Sequence, residues 1–129
     1  MAFGTFDRFH PGHAYYLSEA SKFWDVLVVV VARDETVEKV KWKAPRDQED
    51  VRLFAVQGHQ DVTQAVLGDL EDPYLRILEH TPDVLCFWYD QRSFNDERLE
   101  KFLADNDLDP EVYIIQSFEP EKYKSSKML

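Results

Sequence analysis

Residues 4 to 13 read GTFDRFHPGH, and His10 and His13 stand three apart with Pro11 and Gly12 between them. Two imidazoles, a hydroxyl at Thr5 and glycines at positions 4 and 12 are compressed into ten residues. A glycine lets backbone come close to a ligand, and a helix start offers free amides to phosphate. Histidines on either side of such a site suit phosphoryl or nucleotidyl transfer, where positioning and charge stabilisation dominate the chemistry. A zinc pair is the competing reading. It is weak, because no third histidine or cysteine lies nearby, so no metal ligand is assigned. A second alternative is two solvent-facing histidines without a role.

These residues need a strand to end at Gly4 and a helix to begin near Pro11. The rest of the chain supplies such a frame. DVLVVVVA, PDVLCFW and EVYIIQ are apolar runs that read as strands buried on both faces. QAVLG reads as a short further strand. Between them lie stretches with helical spacing. Residues 14–23 carry Leu17 and Ala20, with Trp24 next on the same spacing, and DQEDVRLFAV opens on Asp47 as N-cap. DPYLRILEH has Asp72 as cap and Pro73 at the first helical position, and NDERLEKFLADN aligns Leu99, Phe102 and Leu103. Alternating strands and helices predict an α/β domain, a parallel β-sheet of about five strands with helices on both faces. Ligands of such sheets sit beyond the carboxyl ends of the strands, where strand order reverses. Only Met1, Ala2 and Phe3 precede Gly4, so the first strand is expected to be short, or to start upstream of this sequence.

Composition narrows the function classes. The 129 residues fit a single domain, 1–129, and 44% apolar residues suffice for a core. A formal charge of −10 argues against non-specific attachment to nucleic acid or an anionic membrane. The single cysteine, Cys86, permits no internal disulfide, and no apolar run is long enough to span a bilayer. A cytoplasmic protein is therefore expected.

The opening motif resembles the signature of the cytidylyltransferase-like nucleotidyltransferases, which have HxGH after a GTFD or GSFD turn. VVVARDETVEKVK, APRDQEDVR, AVLGDLED, PDVLCFWYDQ and YKSSK fall in the order of that family's segments, so the resemblance covers essentially the whole chain. It is strongest to the archaeal FAD synthase and glycerol-3-phosphate cytidylyltransferase branch.

The resemblance implies a Rossmann-like fold. It also implies transfer of a nucleotidyl group from an NTP to a phosphate-bearing acceptor, with release of pyrophosphate. ATP plus FMN giving FAD is the leading expectation. CTP with glycerol 3-phosphate and a non-catalytic nucleotide-binding relative are the alternatives. A divalent ion, Mg²⁺, would accompany the NTP, and a homodimer is implied.

On the same ground His10, His13 and Lys43 form the catalytic set, and Thr5 and Phe6 contact the triphosphate by hydroxyl or backbone. Asp7 is read as ordering the turn. Lys41, Lys43 and Arg52 are the expected acceptor contacts, with a structural ion pair the alternative for Arg52. Asp90 and Gln91 would reach ribose or base, and Ser125 and Ser126 the β and γ phosphates. Trp88 stands where the family carries glycine, and we expect its indole to line and restrict the base pocket.

Overall fold

The computed structural model describes residues 1–88 and 97–116. Five strands form one all-parallel sheet: β1 (Ala2–Gly4), β2 (Val28–Val31), β3 (Gln64–Leu67), β4 (Val84–Trp88) and β5 (Glu111–Ile115). Their spatial order is β3-β2-β1-β4-β5. The chain moves outward from β1 to β3, returns across the sheet to β4, and moves outward again to β5. Order therefore reverses between β1 and β4, at the end of the strand that carries the histidine segment.

Helices α1 (Pro11–Ser21), α2 (Asp34–Lys41), α3 (Glu49–Gln57), α4 (Leu75–His80) and α5 (Glu97–Asp105) fill the connections. Alternation along the strands sends successive side chains to opposite layers. Ala2, Val29, Val31, Val84 and Cys86 meet Tyr16, Leu17 and Ala20 of α1 and Val56 of α3. Phe3, Val30, Leu85 and Phe87 face the other way, toward Tyr74, Ile77 and Leu99. Two apolar layers thus lie on either side of the sheet, as the crossovers require. Among the described residues, no helix is long and apolar enough to cross a membrane.

Several boundaries differ from the sequence reading. Trp24 lies beyond the end of α1 and is exposed. The α3 helix is entered through Gln48, with no side-chain cap. The helix start expected at Pro73 moves to Leu75, because Asp72 forms a turn first, accepting from the amide of Tyr74 on its carboxylate and from that of Leu75 on its carbonyl. The α2 helix had no apolar period to betray it, since Val37 is its only buried residue. The β5 strand is an edge rather than a strand buried on both faces, with Val112 and Ile114 41% and 44% exposed.

The β1–β4 junction carries one further feature. Only Ala2 and Cys86 are paired there. The Tyr16 hydroxyl enters beyond that pair, accepting from Phe3 N and lying 2.8 Å from Cys86 O as donor. A side chain from α1 thus satisfies backbone groups where the two strands part.

Candidate active site

The β1–α1 turn is shaped by its aromatic residue. Phe6 adopts a left-handed backbone (φ 56°) and its ring is buried against Tyr16 and the edge of His13. A Cβ on Gly4 would stand 2.7 Å from that ring. Gly4 therefore clears space for the Phe6 ring, a packing role that the sequence reading did not assign it. Because the Phe6 side chain is enclosed, only its backbone is left for the expected triphosphate contact.

His10 and His13 together build the start of α1. His10 is the N-cap and accepts at Nδ1 from the amide of Gly12 at 3.1 Å. His13 turns its own Nδ1 back to the amide of His10 at 3.3 Å. The arrangement is a capping box made of imidazoles. The amides of His13 and Ala14 are also engaged, by the carbonyl of His10. The free helix-start amides expected from sequence are thus already satisfied. A Cβ on Gly12 would lie 2.9 Å from the His10 ring, so this glycine too accommodates a side chain.

That cap fixes the chemistry of the pair. A ring nitrogen that accepts a hydrogen bond carries no proton, so each neutral imidazole holds its hydrogen on Nε2. The rings stack with centroids 3.7 Å apart and 22° between their planes. Two Nε2–H donors on adjacent rings result. Burial, followed by the neighbouring His10, pushes the pKa of His13 down to about 4. At neutral pH His13 is a hydrogen-bond donor without a charge.

The same β1–α1 turn also contributes Thr5 and Asp7 to a pocket of about 230 Å³, lined further by Val37, Lys41, Lys43, Ala44, Pro45 and Arg46. Thr5, Lys41 and Lys43, singled out in the sequence, are brought together here, and the charge of Lys41 reaches His13. None of Lys41, Lys43 and Arg46 has a carboxylate partner among the described residues. Three cations without a salt bridge, set against the single carboxylate of Asp7 on the same concavity, leave it net positive in a chain of net charge −10 and favour an anion there. Arg46 belongs to this group and was not assigned a role from sequence. Its place in the basic stretch 39–46 was the available signal. Asp7 orders the wall. Its two carboxylate oxygens accept the amides of Arg46 and Asp47 at 2.8 and 2.9 Å. Burial pushes the Asp7 carboxyl up, but those amides, with the charges of Arg52 and Lys41, outweigh it and hold its pKa below the ordinary value.

Arg52, expected among the acceptor contacts, does not line the pocket that holds Lys41 and Lys43. Its side chain has no exposed surface, and its guanidinium pairs with Asp34 at 2.7 Å. It also donates to the carbonyls of Thr5, Ala32 and Asp47. Trp88 packs edge-on against Tyr16 at 5.1 Å, on the α1 face of the sheet and beside the core. Strand alternation alone takes the indole there, two residues after Cys86, with regular pairing to Ile115. Asp90, Gln91, Ser125 and Ser126 lie outside the described residues. Among the described residues no group of three or more His, Cys, Asp or Glu side chains could hold a metal ion.

Comparison with known proteins agrees with the fold. The cytidylyltransferase-like family profile matches residues 1–129. An FAD synthase of Aciduliprofundum boonei is 46% identical over 101 residues, which cover 78% of this chain and 66% of that protein. An FAD synthase of Methanocella arvoryzae is 40% identical over 129 residues, covering 100% of this chain and 90% of the relative. The crystal structure of the lipopolysaccharide core biosynthesis protein from Thermoplasma volcanium superposes with a TM-score of 0.84 at 34% identity, covering 92% of this chain and 96% of that one. With its parallel sheet, its capped histidine pair at the strand-order reversal and these relatives, the chain belongs to the cytidylyltransferase-like family of nucleotidyltransferases.

Proposed function

We propose that the protein transfers the adenylyl group of ATP to FMN, forming FAD and pyrophosphate. The stacked pair of His10 and His13 carries this reading, since it offers two Nε2–H donors at the point where strand order reverses. The choice of adenylyl donor and flavin acceptor draws its support from relatives named FAD synthase.

The acceptor phosphate is largely dianionic at neutral pH, its second pKa being about 6. One of its oxygens attacks the α-phosphorus in line. The new P–O bond forms as the bond from that phosphorus to the bridging oxygen breaks, and pyrophosphate leaves with the electron pair. Negative charge accumulates on the non-bridging α-oxygens, where two preorganised N–H donors stabilise it. Because His13 is neutral at this pH, water need not be stripped from a buried cation at that position. Thr5 and the Phe6 backbone would hold the triphosphate. Lys41, Lys43 and Arg46 would hold the acceptor phosphate.

Mg²⁺ would accompany the nucleotide. The chain's part would be the cations and N–H donors that hold the phosphates, with both Asp7 oxygens engaged by backbone, while the ion would supply further neutralisation of phosphate charge. The assignments of Asp90 and Gln91 to ribose or base, and of Ser125 and Ser126 to the β and γ phosphates, rest on the family resemblance. So does a homodimer.

The experiment is direct. Purified protein is incubated with Mg²⁺ and ATP or CTP, with FMN or glycerol 3-phosphate, and both pyrophosphate and the organic product are quantified. FAD formed in step with pyrophosphate supports the reading. CDP-glycerol formed from CTP would replace it with the cytidylyl reaction. Nucleotide binding without pyrophosphate would mark a non-catalytic relative.

A further inference from the structure

Arg52 links, in one buried contact set, the segments that the two substrates need. Its NH1 donates to Thr5 O at 2.8 Å, at the turn that leads to the histidines, and to Ala32 O at 2.7 Å, just past the end of β2. NH2 meets the carboxylate of Asp34, the first residue of the helix that ends at Lys41. Nε donates to Asp47 O, directly after the pocket wall that carries Lys43 and Arg46. From the other side, Asp7 takes the amides of Arg46 and Asp47. The β1–α1 turn and the basic loop are therefore cross-tied twice, once through a guanidinium and once through a carboxylate.

We propose that Arg52 is a positioning residue for nucleotidyl transfer, holding the cationic 41–46 wall at a fixed distance from the Thr5–His13 segment so that the acceptor phosphate lies in line with the α-phosphorus. The inference rests on the reading of that wall as the acceptor side. A planar fork with donors in several fixed directions is needed, because three carbonyls and one carboxylate converge on it. Lysine keeps the charge but not the fork. Such a displacement need not alter how ATP itself binds. It costs rate, since about 1 Å of misplacement can cost roughly a hundredfold.

The test compares parent, Arg52→Lys and Asp34→Asn, each well below its melting temperature and with the folded fraction measured. Three readouts are taken: kcat and KM for the acceptor, equilibrium ATP affinity, and hydrogen exchange of the Arg46 and Asp47 amides. In Arg52→Lys we expect kcat per folded molecule to fall roughly tenfold or more, acceptor KM to rise, ATP affinity to stay within about threefold, and both amides to exchange faster. Asp34→Asn keeps the carbonyl contacts of the guanidinium and should show the same pattern in smaller measure. If Arg52→Lys does not fold, Asp34→Asn decides alone. Parental kcat, acceptor KM and exchange in a folded variant would overturn the proposal, as would a loss of rate that merely follows the folded fraction. The exchange readout needs no substrate, so a parent that fails to make FAD would count against the proposed reaction and leave the cross-tie still under test.

Discussion

His10 and His13 face each other ring to ring, 3.7 Å apart, and each spends its Nδ1 on the backbone of the same helix start. One set of contacts therefore does two things. It closes the N-terminus of α1, and it fixes the tautomer that leaves both Nε2–H groups as donors. The pair is a structural cap and a candidate anion receptor at once. Substitutions can separate those two roles.

His10→Asn is the separating variant. Asparagine is among the strongest N-cap residues, so α1 should keep its cap and the melting temperature should stay near the parent's. The Nε2–H donor is lost, and turnover should fall roughly a hundredfold or more. Thermal melting and initial rates measured on the same preparation check this. A cap-retaining variant with parental turnover would leave His10 a purely structural residue.

The pKa of His13 sets a pH signature. Its folded value of about 4 lies below the unfolded value of 6.5. Between these the unfolded chain binds more protons, so stability rises with pH across that window. The contribution of His13 is complete above about pH 6.5 and is lost as pH falls toward 4. Melting temperatures from pH 4 to pH 7 should show a slope that His13→Asn flattens. Turnover should not fall between pH 7 and pH 8 through loss of a proton from His13, since that residue is already neutral there.

Lys43 should act on the acceptor alone. Lys43→Ala is expected to raise acceptor KM while ATP affinity changes little, as for a contact made to one substrate. Steady-state kinetics with each substrate varied in turn measure both. A matching rise in KM for ATP would move Lys43 to the triphosphate.

Trp88 is expected to report on the core. Its edge-on contact with Tyr16 and its place beside the α1 layer predict that Trp88→Gly melts earlier, by up to roughly 3–5 kcal/mol for an aromatic truncation. ATP and CTP affinities of the folded variant should stay near parental. An unchanged melting temperature with broadened or tightened nucleotide preference would return the indole to the base pocket.

Where both faces of a strand are buried, the sequence was easy to read. The Val28–Val31 and Val84–Trp88 runs could be nothing but interior strands of a parallel sheet. The histidine motif was legible because a strand, a turn and a helix start had to coincide around it. The packing role of the two glycines was not legible, since nothing local shows that the rings of Phe6 and His10 occupy the space a Cβ would take. For Arg52 the structure shows the ion pair that was its alternative, with Asp34; the acceptor contact was put first because an arginine is usually exposed. A hint existed in Val56, four residues on and also buried, which puts position 52 on the inward face of α3. Its partners, at Thr5, Ala32, Asp34 and Asp47, come from four separate segments that no spacing rule connects.

The central claim is that the capped histidine pair stabilises charge that develops only during transfer. Single-turnover formation of FAD from ATP and FMN, set beside equilibrium ATP affinity, tests it in His10→Asn, His13→Ala and the double variant. The account predicts rates lowered roughly a hundredfold or more in each single variant, affinity changed little, and a double variant much less impaired than the product of the two, because the rings act as a unit. Near-parental rates in the folded single variants, or losses that appear wholly in ATP affinity, would contradict it.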